Sequence, residues 1–279
     1  MKILTIVLAG ALAGACAADP TPLLYARPDN ADAPVDQYQL TTWTPGTELF
    51  VAPLRVNVRA TAGTGGASAG KAGLGDRVVV EAMEPAAKKE DGLVNHWYRV
   101  KVKDGAGAGQ AGWVFGAFLT PFAIRADFDG DHQEEVATVS FDRDMKILVR
   151  VKHGPEDVAE LRFTPSGEGY LSRKGGQVVA SLLPADKAGI PLIQLGSHID
   201  ACGDYWDAYA SYTDGKAREA LMLRGASDPP VFQTTTATFT KGAAQVEEDV
   251  TEQDEKGKEK KTVTRKSLVL DHGVFKPKK

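Results

Sequence analysis

Five acidic residues fall within nine positions at Asp127-Phe128-Asp129-Gly130-Asp131-His132-Gln133-Glu134-Glu135. A β-branched run, Val136-Ala137-Thr138-Val139, follows directly. Asp127, Asp129 and Asp131 recur at every second residue, so a chain curled around one point brings three carboxylates together. Glu135 closes the run and adds one or two oxygens. The backbone carbonyl of Gln133 adds another, and Gly130 permits the bend. Calcium takes six to eight oxygens at about 2.3–2.6 Å, so these five residues with water supply a calcium set. Carboxylates held together without a cation repel one another, which gives such a loop reason to hold one. The competing reading is a solvated acidic turn with no ion.

The elements around the loop read as strands. Val136–Phe141 continues from Glu135. Further candidates are Lys146–Lys152, Glu160–Thr164, Gln177–Leu183, Leu192–Leu195, Tyr205–Tyr212, Ala220–Leu223, Thr234–Thr240, Ala244–Thr251 and Lys261–Leu270. Asp214-Gly215 between alternating runs is a hairpin signal. Upstream, Leu54, Val56 and Val58 alternate with Arg55, Asn57 and Arg59 at period 2. Residues 60–73 are Gly, Ala, Ser and Thr for the most part and predict a surface loop. Short strands at turn-rich spacing predict an all-β chain: a small barrel over 49–121, then a larger antiparallel β domain over 123–275, a sandwich or propeller fragment. Within the second, the acidic loop is 127–135. Residues 244–270 predict a hairpin whose acidic strand returns as a basic one.

Some of these residues carry a resemblance. Leu54-Arg55-Val56-Asn57-Val58-Arg59, then His96-Trp97-Tyr98-Arg99-Val100, then Gly112-Trp113-Val114 resembles a bacterial SH3-like domain over about 70 residues. Phe118 stands where that family commonly has Tyr. The resemblance implies a ligand groove drawing on Asn57, Arg59, Trp97, Tyr98 and Trp113, with peptidoglycan or an envelope protein as ligand. The acidic loop resembles that of FG-GAP-type extracellular repeats, with His132 where Gly is usual. One such loop is present, so the likeness is to a loop and not to a propeller.

Two remaining clusters offer nucleophile chemistry. One stretch offers Ser197, His198, Asp200 and Cys202; within it Asp200-Ala201-Cys202-Gly203, with Leu270-Asp271-His272-Gly273-Val274, echoes a cell-wall cysteine peptidase of the NlpC/P60 type, with Cys202 and His272 as the pair. Against it, Trp206, Ala208, Ala210 and Tyr212 alternate with Tyr205, Asp207, Tyr209 and Ser211. That pattern reads as a strand where the peptidase has a helix. Nothing in the local sequence activates Cys202. The expectation is a non-enzymatic protein.

The chain of 279 residues is long enough for two modest domains, and its net charge of −4 points to no nucleic-acid partner. Lys2 followed by thirteen nearly all apolar residues, Ile3 to Ala15, reads as an export signal over 1–16. It is too short to span a bilayer, for which about 20 residues are needed. Two processing readings stay open. Ala13-Gly14-Ala15-Cys16 resembles a bacterial lipobox that lipidates Cys16 and anchors the chain to a membrane; Ala15-Cys16-Ala17 fits ordinary signal cleavage. Residues 17–48, rich in Ala, Asp, Pro and Thr, predict a flexible tether. The expected location is the bacterial cell envelope.

Overall fold

The computed structural model describes residues 21–26, 34–35, 39–144, 146–163, 177–197 and 204–278. The chain is all-β, built from antiparallel sheets. Among the described residues no helix is long and apolar enough to cross a membrane. The expected signal segment, Cys16, His198, Asp200 and Cys202 lie outside the described residues.

Two strands precede the first sheet: β1 (Thr21–Ala26) and β2 (Gln39–Leu40). The first sheet is made of β3 (Glu48–Val51), β4 (Arg55–Arg59), β5 (Ser68–Gly73) and β6 (Arg77–Met83), joined after the β7 (Lys88–Glu90) and β8 (Leu93–Asn95) ribbon by β9 (Trp97–Val102), β10 (Ala111–Phe115) and β11 (Leu119–Thr120). Its order is β11-β3-β6-β9-β10-β4-β5. Period-2 alternation builds its core: Val56 and Val58 are buried between exposed Arg55 and Asn57, and they meet Leu49, Val78, Val80, Tyr98, Val100 and Val102. Residues 60–73, expected as one loop, divide. Ser68–Gly73 pairs with β4 at the sheet edge. Small side chains suit that edge, because Ala72 enters the core and a Cβ at Gly70 would collide with Gln110.

The second sheet contains β12 (Ala123–Ala126), β13 (Glu135–Phe141), β14 (Ile147–His153) and β15 (Asp157–Phe163), in that order. The largest sheet adds β16 (Gln177–Leu183), β17 (Leu192–Ser197), β18 (Asp204–Thr213), β19 (Lys216–Asp228), β20 (Val231–Thr240), β21 (Ala243–Gln253), β22 (Glu259–Asp271) and β23 (Val274–Pro277), with β1 and β2 beyond β16. Asp214-Gly215 forms the expected hairpin turn, with φ of 53° and 70°, the type I′ pattern that follows strand twist.

Two strands are buried on both faces and tie the sheets together. Residues Glu135 to Ser140 of β13 are all buried. Ala137 and Val139 point into a core shared with Val178, Ile193, Leu195, Trp206 and Ala208 of the largest sheet. Their neighbours turn toward the first sheet: Thr138 Oγ1 donates to the Ala52 carbonyl at 3.1 Å, and Val136 lies against Gly75. Gly75 is required twice over, by its φ of 77° and because a Cβ there would collide with Val136. Strand β18 behaves in the same way. Trp206, Ala208, Ala210 and Tyr212 face the shared core. Tyr209 faces a second one with Leu223, Ala244, Val246, Leu268 and Phe275, so β20–β23 folds over the far side of β18 and β19.

The stretch expected as a tether contributes structure in its described part. β1 pairs antiparallel with β16, and β2 with β1. An otherwise open β16 edge would present unpaired N–H and C=O groups, which β1 satisfies. The Trp43 ring packs at a tilt on Tyr98 with centroids 5.1 Å apart, and the Trp43 backbone N–H donates to the Tyr98 hydroxyl at 3.4 Å.

The acidic β21 and basic β22 do pair. Glu247 stands opposite Arg265, whose Nε lies 2.8 Å from Glu247 Oε2, and Lys261 bridges diagonally to Asp249. Such exposed pairs contribute about 0.2–1 kcal/mol each.

Burial predicts two contrasting outcomes. Trp206→Ala lowers unfolding stability by about 3–5 kcal/mol, whereas Val263→Ala on the exposed hairpin changes it by no more than about 0.5 kcal/mol. Urea denaturation of the two variants checks the contrast.

Candidate functional site

The acidic loop connects β12 to β13, and its two ends are fixed by burial. Phe128 is fully buried in the core between the second and largest sheets. Glu135 is also fully buried, at the first position of β13. A buried carboxylate needs compensating donors. The Phe128 N–H donates to Glu135 Oε2 at 2.7 Å, and His153 Nδ1 lies 2.9 Å from Oε1. That pair closes the loop like a clasp: one residue anchors by its ring, and the other holds the first one's backbone.

Between the ends, the loop's own amides shape it. Asp127 accepts from the N–H groups of Gly130 at 2.7 Å and His132 at 3.0 Å. Asp129 accepts from Asp131 N–H at 3.2 Å, and Asp131 from Gln133 N–H at 2.7 Å. Gly130 and His132 take positive φ, 85° and 70°. His is among the few residues that tolerate that region, so it serves where the resembled loop has Gly.

The candidate ligands fall into two triads that share Asp129. Asp127, Asp129 and Asp131 have carboxylate oxygens all within 4.8 Å of one another; so do the ligand atoms of Asp129, Glu135 and His153. Oxygens bound to one calcium at about 2.4 Å lie at most about 5 Å apart, so one ion can reach every member of a triad. The first triad offers hard oxygen donors only. Gln133 reaches Asp131 through its backbone N–H and, at 3.3 Å, its side-chain amide.

His153 escaped the sequence reading because eighteen residues separate it from Glu135. The β13–β14 register brings the two together: it sets Val136 opposite Lys152, so the preceding residue meets the following one. The hydrogen bond to Glu135 raises the His153 pKa above its ordinary value, and the charges of Asp131 and Asp129 add to the effect. Behind the loop, Tyr212 of β18 has its hydroxyl pKa pushed up, first by burial and then by Asp129 and Glu135.

The five residues expected to line a groove separate by exposure. Trp97 is 2% exposed and Tyr98 fully buried. Tyr98 packs in the main core of the first sheet, and Trp97 in a satellite cluster with Leu93 and Phe115. Asn57 is exposed; Arg59 and Trp113 are half-buried and stand opposite each other on β4 and β10. Arg59 Nη1 donates to the Gly66 carbonyl at 2.6 Å, holding the 60–67 loop beside Trp113. Of the five, Asn57, Arg59 and Trp113 therefore reach the surface.

His272 occupies a tight turn between β22 and β23, with φ of 48° before Gly273 at 80°. Its ring is 78% exposed, with Nδ1 3.4 Å from Asp214 Oδ2 in the neighbouring hairpin turn. Turn chemistry accounts for a histidine there.

The His153–Glu135 contact predicts a pH dependence. The imidazolium form is stabilised by folding, so its contribution is complete below the unfolded histidine value of about 6.5 and is lost as pH rises through the higher folded value. Thermal unfolding in chelator falls across that window, and His153→Gln removes the step. Compared with protein-family models, curated proteins and solved structures, the chain matches none, so the functional reading rests on this geometry and on the residues themselves.

Proposed function

We propose that this protein is a non-enzymatic binding protein of the bacterial cell envelope, with a calcium ion as a structural tie in the acidic loop. The observation that carries the calcium part is the convergence of Asp127, Asp129 and Asp131 within the reach of one cation. The loop joins two strands of the sheet that packs between the others, so neutralising its carboxylates stabilises that junction. Calcium is abundant outside cells, and even a weak site stays filled there.

The ligand class comes from the SH3-like resemblance of the first sheet: peptidoglycan or an envelope protein. Arg59 and Trp113 supply a cation and a ring face side by side, a combination that suits sugars and peptides. Export and a lipid anchor at Cys16 complete the reading. A second reading is supported by the burial of Trp97 and Tyr98. In it the first sheet is a spacer, and the protein acts in envelope assembly through protein partners.

Two measurements test these readings. Calcium at about 100 times its dissociation constant adds about 2.7 kcal/mol of stability, seen as a higher Tm, and Asp129→Asn abolishes the gain. No change in Tm with calcium rejects the ion. Wall binding predicts that the protein co-sediments with purified cell-wall sacculi and that Arg59→Ala or Trp113→Ala releases it. Wild-type protein left in the supernatant with and without calcium rejects wall binding and favours the assembly reading.

A further inference from the structure

The charged hairpin leaves one sheet edge open. β23 pairs with β22 over Leu268–Asp271 only, and Lys278 N–H takes the Ser267 carbonyl. Among the described residues, no strand covers Glu259–Lys266 on that side. The direction of the backbone there follows from two bonds. Leu270 N–H donates back to Gly242 next to β21, while Ser267 C=O points outward to Lys278. Alternation along β22 then turns Lys261, Val263 and Arg265 outward, with their N–H and C=O groups free at the edge.

The side chains of these three residues share one face. Lys261 and Arg265 are 63% and 73% exposed even while paired with Asp249 and Glu247. Between them Val263, 42% exposed, is one of two exposed large hydrophobics among the described residues, and its cross-strand neighbour is Asp249, not an apolar residue. No acidic residue occurs from Lys260 through Leu270.

We propose that this edge is a docking site for an extended acidic segment of a partner protein, added as an antiparallel strand next to β22. Main-chain bonds to residues 261, 263 and 265 supply the affinity, and the side chains set the pattern. An incoming strand places an acidic residue opposite Arg265, an apolar one opposite Val263 and an acidic one opposite Lys261. The same residues oppose self-pairing: two copies meeting edge to edge about Val263 would set Lys261 against Arg265. A lysine-rich edge guards against aggregation as well, but that role alone gives no reason for a valine at its centre. The inference is independent of the calcium loop and of the ligand of the first sheet.

The test uses the full chain and a fluorescent, terminally blocked nine-residue peptide with the core Glu-Thr-Val-Thr-Glu. Its counterpart has Lys in place of both Glu. Fluorescence anisotropy is expected to show the acidic peptide binding at least about tenfold more tightly than the basic one, with the difference shrinking as salt rises. Hydrogen exchange at Lys261, Val263 and Arg265 slows on binding. Val263→Pro removes an outward N–H without touching the β21 ladder, so it abolishes binding and leaves Tm unchanged. Lys261→Gln combined with Arg265→Gln removes the preference for the acidic peptide. Equal binding of both peptides, binding of neither, or undiminished binding to Val263→Pro overturns the proposal.

Discussion

Two strands in this protein are largely buried on both faces, and that constraint organises the rest. β13 and β18 each lie between layers, so every side chain along them must be apolar, small or hydrogen-bonded, and every backbone group must find a partner within a sheet. β13 meets the demand with Ala137 and Val139 on one side and with Thr138, whose hydroxyl is bonded, on the other. β18 meets it with Trp206, Ala208, Ala210 and Tyr212 on one side; Tyr209 and Ser211 take the other, where Ser211 Oγ donates to the Gly273 carbonyl at 2.7 Å. Layers stacked this way cannot slide by one residue, because a slip exchanges the two faces.

The acidic loop inherits its precision from that arrangement. Its last residue is the first of β13, and its second residue is a ring locked into the core. The carboxylates between them therefore start and finish at fixed points, and the loop amides fold them back on themselves. Glu135 shows the trade clearly. It is a candidate ligand and also acts as a clasp, its carboxylate held by the Phe128 amide and by His153. Asp129 is the residue both triads need, which makes it the hinge of any cation chemistry at this site.

Charge plays a different part on the far hairpin. There the ion pairs are exposed and individually weak, and they lie along β21 and β22, which run with β20 beyond an apolar root at Ala244, Val246 and Leu268. Among the described residues the outward edge is uncovered beyond β23, which is only four residues long.

Much of the secondary structure was legible in the residues. Period-2 alternation marked β4 and β18, a β-branched run marked β13, and Asp214-Gly215 marked its turn, because these patterns act between near neighbours. The spacing of Asp127, Asp129 and Asp131 was likewise local and was read from the chain alone. What tertiary structure decided was everything that depends on a distant partner. Composition suggested a tether, yet Thr21–Ala26 pairs with β16, about 155 residues away, because an open edge demands hydrogen bonds whatever segment supplies them. Small residues suggested a loop, yet Ser68–Gly73 became an edge strand that only small residues fit. His153 joined Glu135 through strand register, and Trp97 and Tyr98 were drawn inward by packing. A sequence states which residues want burial or charge; only the stacked sheets decide which of them reach the surface.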